Sequence, residues 1–124
     1  MRLTPPATRW CHLTWSTSRH HKFFNIAALA RFCERALVEE CTRIGWSIEA
    51  AVLPDRIHVL VETPATVGRD DVIRIVRKHA ATVVRRAGGP MRTRQVWEEK
   101  CWCSVLTSPA AVEVLRRRVR AMAH

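Results

Sequence analysis

Val52-Leu53-Pro54-Asp55-Arg56-Ile57-His58-Val59-Leu60-Val61 is the stretch on which the fold turns. Pro-Asp is a turn dipeptide, and the run after it alternates with period two, the signature of a half-buried strand. On such a strand Arg56, His58, Leu60 and Glu62 share one face, and Ile57, Val59 and Val61 share the other. Trp46 to Leu53 reads as the preceding strand, so the pair forms an antiparallel hairpin about Pro54-Asp55. Two histidines two residues apart on a strand would aim both imidazoles at one metal ion. Here arginine holds the first place.

Working outward, Cys11 to Thr17 alternates as a first strand, with Cys11, Leu13 and Trp15 on one side. Asn25 is placed to cap a helix whose apolar positions Ile26, Leu29, Cys33, Leu37, Cys41 and Ile44 follow helical spacing, and Gly45 ends it. Asp70 or Asp71 opens a second helix that turns Val72, Val76, Ala80, Val83 and Ala87 inward, and Gly88-Gly89-Pro90 stops it. Trp102 to Leu106 is a last strand. Ser108-Pro109 then supplies a cap with proline at the first helical position, ahead of a helix with Val112, Leu115, Val119 and Met122 on one face. The order β-α-β-β-α-β-α predicts an α+β, ferredoxin-like antiparallel sheet with helices packed on it. Residues 1–124 read as one domain, a length suited to one real core but not two.

Lysine and arginine number 21 against 11 aspartates and glutamates, giving a net charge of +10. That imbalance favours a polyanionic partner, nucleic acid first. No apolar run approaches the ~20 residues of a membrane span, so no membrane partner is expected. The opening Met1-Arg2-Leu3-Thr4-Pro5-Pro6 lacks a signal-peptide core, which points to the cytoplasm. Five cysteines without CxxC spacing fit a reduced compartment better than a disulfide framework. Cys101-Trp102-Cys103 has no second cysteine pair to complete a zinc site.

Several segments together resemble the small single-tyrosine HUH transposases of bacterial insertion sequences and their REP-associated relatives. The Pro54-Asp55-Arg56-Ile57-His58 segment resembles the family's metal-binding strand. His12 to Thr17, followed by Arg19-His20-His21-Lys22, resembles its first strand and basic loop. Trp97 through Val105 resembles the tryptophan-led stretch before the last helix, and Val114 to Val119 resembles the helix that carries the nucleophilic tyrosine. The resemblance implies a divalent metal, Mg or Mn, held by two histidines and a polar residue four positions after the tyrosine. It also implies DNA as partner, single-stranded or hairpin, and a homodimer.

Carried over, the metal positions are Arg56, His58 and Met122, and the tyrosine position is Arg118. The chain contains no tyrosine at all. A guanidinium offers no lone pair to a metal, and a thioether is a poor match for a hard divalent ion. The sequence therefore reads as a DNA-binding transposase-like domain with the metal site and nucleophile lost. Neither a resident cofactor nor cleavage by the family's route is expected. Ser104, Thr107, Cys101 and Cys103 are alternative nucleophiles, but no histidine–carboxylate partner for them is legible.

The nucleic-acid-binding candidates are the loop Arg19, His20, His21 and Lys22, then Arg56, then Arg74, Arg77, Lys78, Arg85 and Arg86 on the second helix. Arg116, Arg117, Arg118 and Arg120 of the last helix complete the set. A charged helix face is often merely solvated, but few acids interleave on the second helix to make i, i+4 pairs. Trp15 and Trp46 sit in strand segments and suit the core; Trp10, Trp97 and Trp102 flank basic segments and suit stacking on unpaired bases. Two other readings stay open: a ferredoxin-like RNA-binding or protein-interaction module, and an active nuclease with an unrecognised site. The stretch Arg56 to Val61 lacks the exposed aromatics of an RNA-recognition strand, which counts against the former.

Overall fold

The computed structural model describes residues 7–20, 22–87 and 96–124. Among these residues the elements run β1 (Thr8–Thr17), α1 (Ala27–Arg43), β2 (Ser47–Leu53), β3 (Arg56–Pro64), α2 (Arg69–Arg86), β4 (Trp97–Leu106) and α3 (Pro109–Met122). The strands form one antiparallel sheet in the order β2-β3-β1-β4. This is the expected α+β plan, element for element.

The alternation of β3 sets the register of everything around it. Ile57, Val59 and Val61 lie opposite Trp15, Leu13 and Cys11 of β1, and opposite Val52, Ala50 and Ile48 of β2. These side chains form one apolar floor on which α1 and α2 pack through Ala30, Cys33, Leu37 and Cys41 and through Val72, Val76, Ala80 and Val83. A smaller apolar cluster lies on the opposite face, where α3 sets Val112 and Val119 against Ala51 and Leu60. Trp10, Leu106, Leu115 and Met122 pack around it.

Element ends follow local chemistry. Gly45 takes φ +85°, the left-handed conformation that closes α1. At α3 the Ser108 hydroxyl accepts the Ala111 N–H at 3.1 Å, with Pro109 at the first helical position, as read from the sequence. Asn25 does not cap α1: the helix starts at Ala27 with Ile26 at the cap position and no side-chain cap bond. Ile26 and Ile44 flank the helix and are exposed. At α2 the cap position is Gly68, which puts Asp70 and Asp71 inside the first turn, where their charge complements the helix dipole. Strands β1 and β4 begin earlier than the alternation suggested, at Thr8 and Trp97. Gly88-Gly89-Pro90 and His21 lie outside the described residues.

The Pro54-Asp55 turn does more than reverse the chain. The Thr17 N–H donates to the Asp55 carbonyl at 2.9 Å, and the Phe24 N–H donates to that of Pro54 at 3.2 Å. One two-residue turn thus grips both ends of the loop between β1 and α1. Within that loop Arg19 and His20 adopt φ 53° and 54°, a left-handed conformation that side chains other than glycine rarely take.

Candidate nucleic-acid interface

The face of the sheet that carries α3 can be built row by row from the strand register. Arg56 lies beside Ser16; His58 beside Thr14, which has Trp102 on its other side; Leu60 beside His12, which has Ser104 on its other side. Helix α3 covers the rows around Leu60 and Trp10. The rows of Arg56, Ser16 and Trp102 stay open and line a cavity of about 710 Å³, with Arg19 and Lys100 on its walls.

At the border between covered and open rows, two histidines meet. His12 Nε2 lies 3.4 Å from His58 Nδ1, and the rings stack nearly parallel at 10°. Burial lowers the pKa of His12, and the Arg118 guanidinium lowers it further. Burial likewise lowers His58, followed by its neighbours His12 and Arg56. The pair is therefore neutral at pH 7, with a permanent cation beside each member. In the sequence His12 is legible only as a member of the first strand. Its place on the polar side of that strand was visible, but the pairing of β1 with β3 that brings it to His58 is not a local property.

The predicted basic residues fall into separate groups. Arg56 acts electrostatically on His58 and Arg118 on His12, and no described residue forms an ion pair with either arginine. The other arginines of α3 are engaged. Arg116 bonds Glu49 at 3.2 Å and Glu113 at 2.8 Å, and lies 5.2 Å over the Trp10 ring. Arg117 pairs with Glu113, and Arg120 with Glu49. Arg19 and His20 stand at the cavity rim, where the Arg19 N–H donates to Glu98 Oε1 at 2.6 Å and His20 faces Asp55 at 3.7 Å. Lys22 is exposed nearby in sequence.

The second-helix residues are elsewhere. Because α2 packs on the opposite side of the sheet, Arg74, Lys78, Arg85 and Arg86 do not join the histidine site. Arg74 pairs with Asp71, and Arg86 with Glu40. Arg77 is not an outward-facing phosphate contact: its guanidinium donates to the backbone carbonyls of Glu98 and Glu99 and ties α2 to β4. Trp97 is also corrected. A register shift between its partner Thr17 and Trp15 accompanies its turn into the core, where it is buried against Trp15 and Phe24. Trp15 and Trp46 are buried, as expected.

The carried-over metal positions do not make a site for a hard divalent ion. Arg56 brings a positive charge in place of a lone pair, and Met122 packs into the apolar cluster under α3. No three histidine, cysteine or acidic residues converge as metal ligands among the described residues. The histidine pair supplies only two donors, each under the repulsive influence of a guanidinium.

A family described as transposase, IS200-like, matches residues 8–116. The chain belongs to this family. A structure described as a transposase of Deinococcus radiodurans R1 superposes with a TM-score of 0.68 at 15% identity, covering 100% of both chains. A REP-associated tyrosine transposase bound to a REP hairpin superposes with a TM-score of 0.57 at 14% identity, over 98% of this chain and 68% of that one. At such identities the likeness is one of fold. No curated protein matches the chain. Within the IS200-like transposase fold, this chain sets Arg118 on α3 beside His12 and Arg56 beside His58, and no helix among its described residues is long and apolar enough to cross a membrane.

Proposed function

We propose that this IS200-like transposase chain binds single-stranded or hairpin-flanked DNA and does not cleave it by a metal-and-tyrosine route. One observation carries the reading: Arg56 and Arg118, without ion-pair partners among the described residues, act on His58 and His12, a neutral pair at the border between the covered and the open rows of the sheet. Charge-assisted bonds from guanidinium to phosphate are among the strongest a surface can make, and Arg is suited to them. Family membership supports the choice of DNA, and so does a fold relative captured on a hairpin. The chemistry of cleavage lacks parts: there is no tyrosine in the sequence, and no donor set for Mg or Mn among the described residues. Arg56 provides a fixed charge where relatives of this family would place an ion. The second-helix arginines are not part of this surface, and a homodimer is the assembly state proposed by family resemblance.

The test is anisotropy with a labelled hairpin carrying single-stranded flanks, an unstructured strand as control, and two salt concentrations. The expected result is preference for the flanked hairpin with a steep salt slope. Nicking of either DNA that depends on added Mg or Mn would overturn the second half of the proposal. Equal weak binding of both strands would overturn the first.

A further inference from the structure

We infer that the open half of the α3-side sheet face seats one unpaired nucleotide of the bound strand, with its base stacked on Trp102 and its phosphate on Arg56. The inference rests on the DNA-binding reading and narrows it to one side chain. Of the five tryptophans, Trp15, Trp46 and Trp97 are buried, and Trp10 is half-buried beneath Arg116. Trp102 is 70% exposed, in the middle of a strand. An indole held on a rigid strand with its surface in water is a ready stacking platform, since every base has a π-face to offer.

Its surroundings select the partner. The adjoining cavity, about 710 Å³, falls within the ~300–1,000 Å³ range of small-ligand sites. Arg19, Arg56 and Lys100 line it together with Trp102 and Ser16, so one apolar plate stands among cations. Of the two acids on the same walls, Glu98 is engaged by the Arg19 N–H. An apolar protein partner would meet charge on most sides of Trp102, whereas a nucleotide matches both the plate and the cations. Arg56 and Trp102 sit on strands separated by β1, about 10 Å across the sheet, which leaves room for a sugar between base and phosphate. Beneath them the Thr14 hydroxyl is buried with no hydrogen-bond partner among the described residues.

The shielding of the other four tryptophans makes the test direct. Titrating a 12-nucleotide single strand should quench intrinsic fluorescence, and Trp102→Leu should abolish that quench. The strand is then remade with a single abasic nucleotide moved along it. At one position the missing base should weaken binding about 5- to 150-fold. Trp102→Leu should show the same loss with the intact strand and no further loss with that abasic strand, and Trp102→Phe should restore most of the binding. Thermal melts of both variants should match the parent, because the side chain is exposed.

Binding that is insensitive to every abasic position, or a quench that persists in Trp102→Leu, overturns the inference while leaving the DNA-binding reading intact. Failure of the intact strand to bind at low salt overturns both. Equal quenching by a peptide of matched negative charge would show that the plate is not specific to nucleotides, and would also overturn it.

Discussion

On the side of the sheet that carries α1 and α2, the strands present Cys11, Leu13, Trp15, Ile57, Val59 and Val61, all buried. On the side that carries α3, the same two inner strands present His12, Thr14, Ser16, Arg56 and His58. Two helices seal the first face, while one helix covers only part of the second. Period-two alternation thus gives each inner strand two jobs at once. The odd residues of β1 hold the molecule together, and the even ones form the floor of the face that α3 covers only in part.

The sharpest way to separate the faces is to damage each in turn. Leu13→Ala should lower unfolding free energy by ~2–5 kcal/mol in urea titrations, while the folded fraction keeps its DNA affinity. A loss of affinity beyond the unfolded fraction would mean that the faces are coupled. On the other side, Arg56→Ala and Arg118→Ala should each cost binding ~1.5–3 kcal/mol and reduce the salt slope by about one. Their denaturation midpoints should not move. If the slope is unchanged, these guanidiniums do not meet phosphate.

A pH series probes the same border from within. Burial holds His12 and His58 below the ordinary imidazole value of 6.5, so between those values the unfolded chain binds more protons than the folded one. The stability due to the neutral pair is complete above pH 6.5 and is lost as pH falls toward the folded-state values. Melting temperature should therefore drop on acidification below pH 6.5, and His12→Gln should flatten that drop. The smallest effect belongs to the far side of the sheet. Arg74→Ala, Lys78→Ala and Arg85→Ala together should change hairpin affinity less than twofold, and a large change would bring α2 back into the interface.

The fold was legible where patterns are local. Alternation located β3 and its faces, helical spacing located the buried stripe of α1, and Ser108-Pro109 announced α3. The site was legible in part, and what failed was non-local. His12 meets His58 only because β1 and β3 pair residues 46 positions apart in sequence. Arg77 looked like a surface cation, but two backbone carbonyls of β4 hold it, and no spacing rule reveals that partner. Trp97 looked available for stacking until the register shift beside it turned the indole inward. The four arginines of the last helix looked equivalent in sequence. Glu49 and Glu113 distinguish them, by engaging three and leaving Arg118.

The grip of Pro54 and Asp55 on Thr17 and Phe24 has a consequence for how such a protein can change over generations. A loop whose two ends are fastened to the same rigid turn can be rewritten without renegotiating the scaffold. Closing a longer loop is cheap, about 0.6 kcal/mol for each doubling of length, and here the anchors are supplied by a different hairpin altogether. The cassette between those anchors reaches the rim beside Arg56 and Trp102, where Arg19 and His20 stand. Substitution there would reshape the rim of that cavity while the sheet beneath stays the same, which gives an engineer a graft site already framed by the fold.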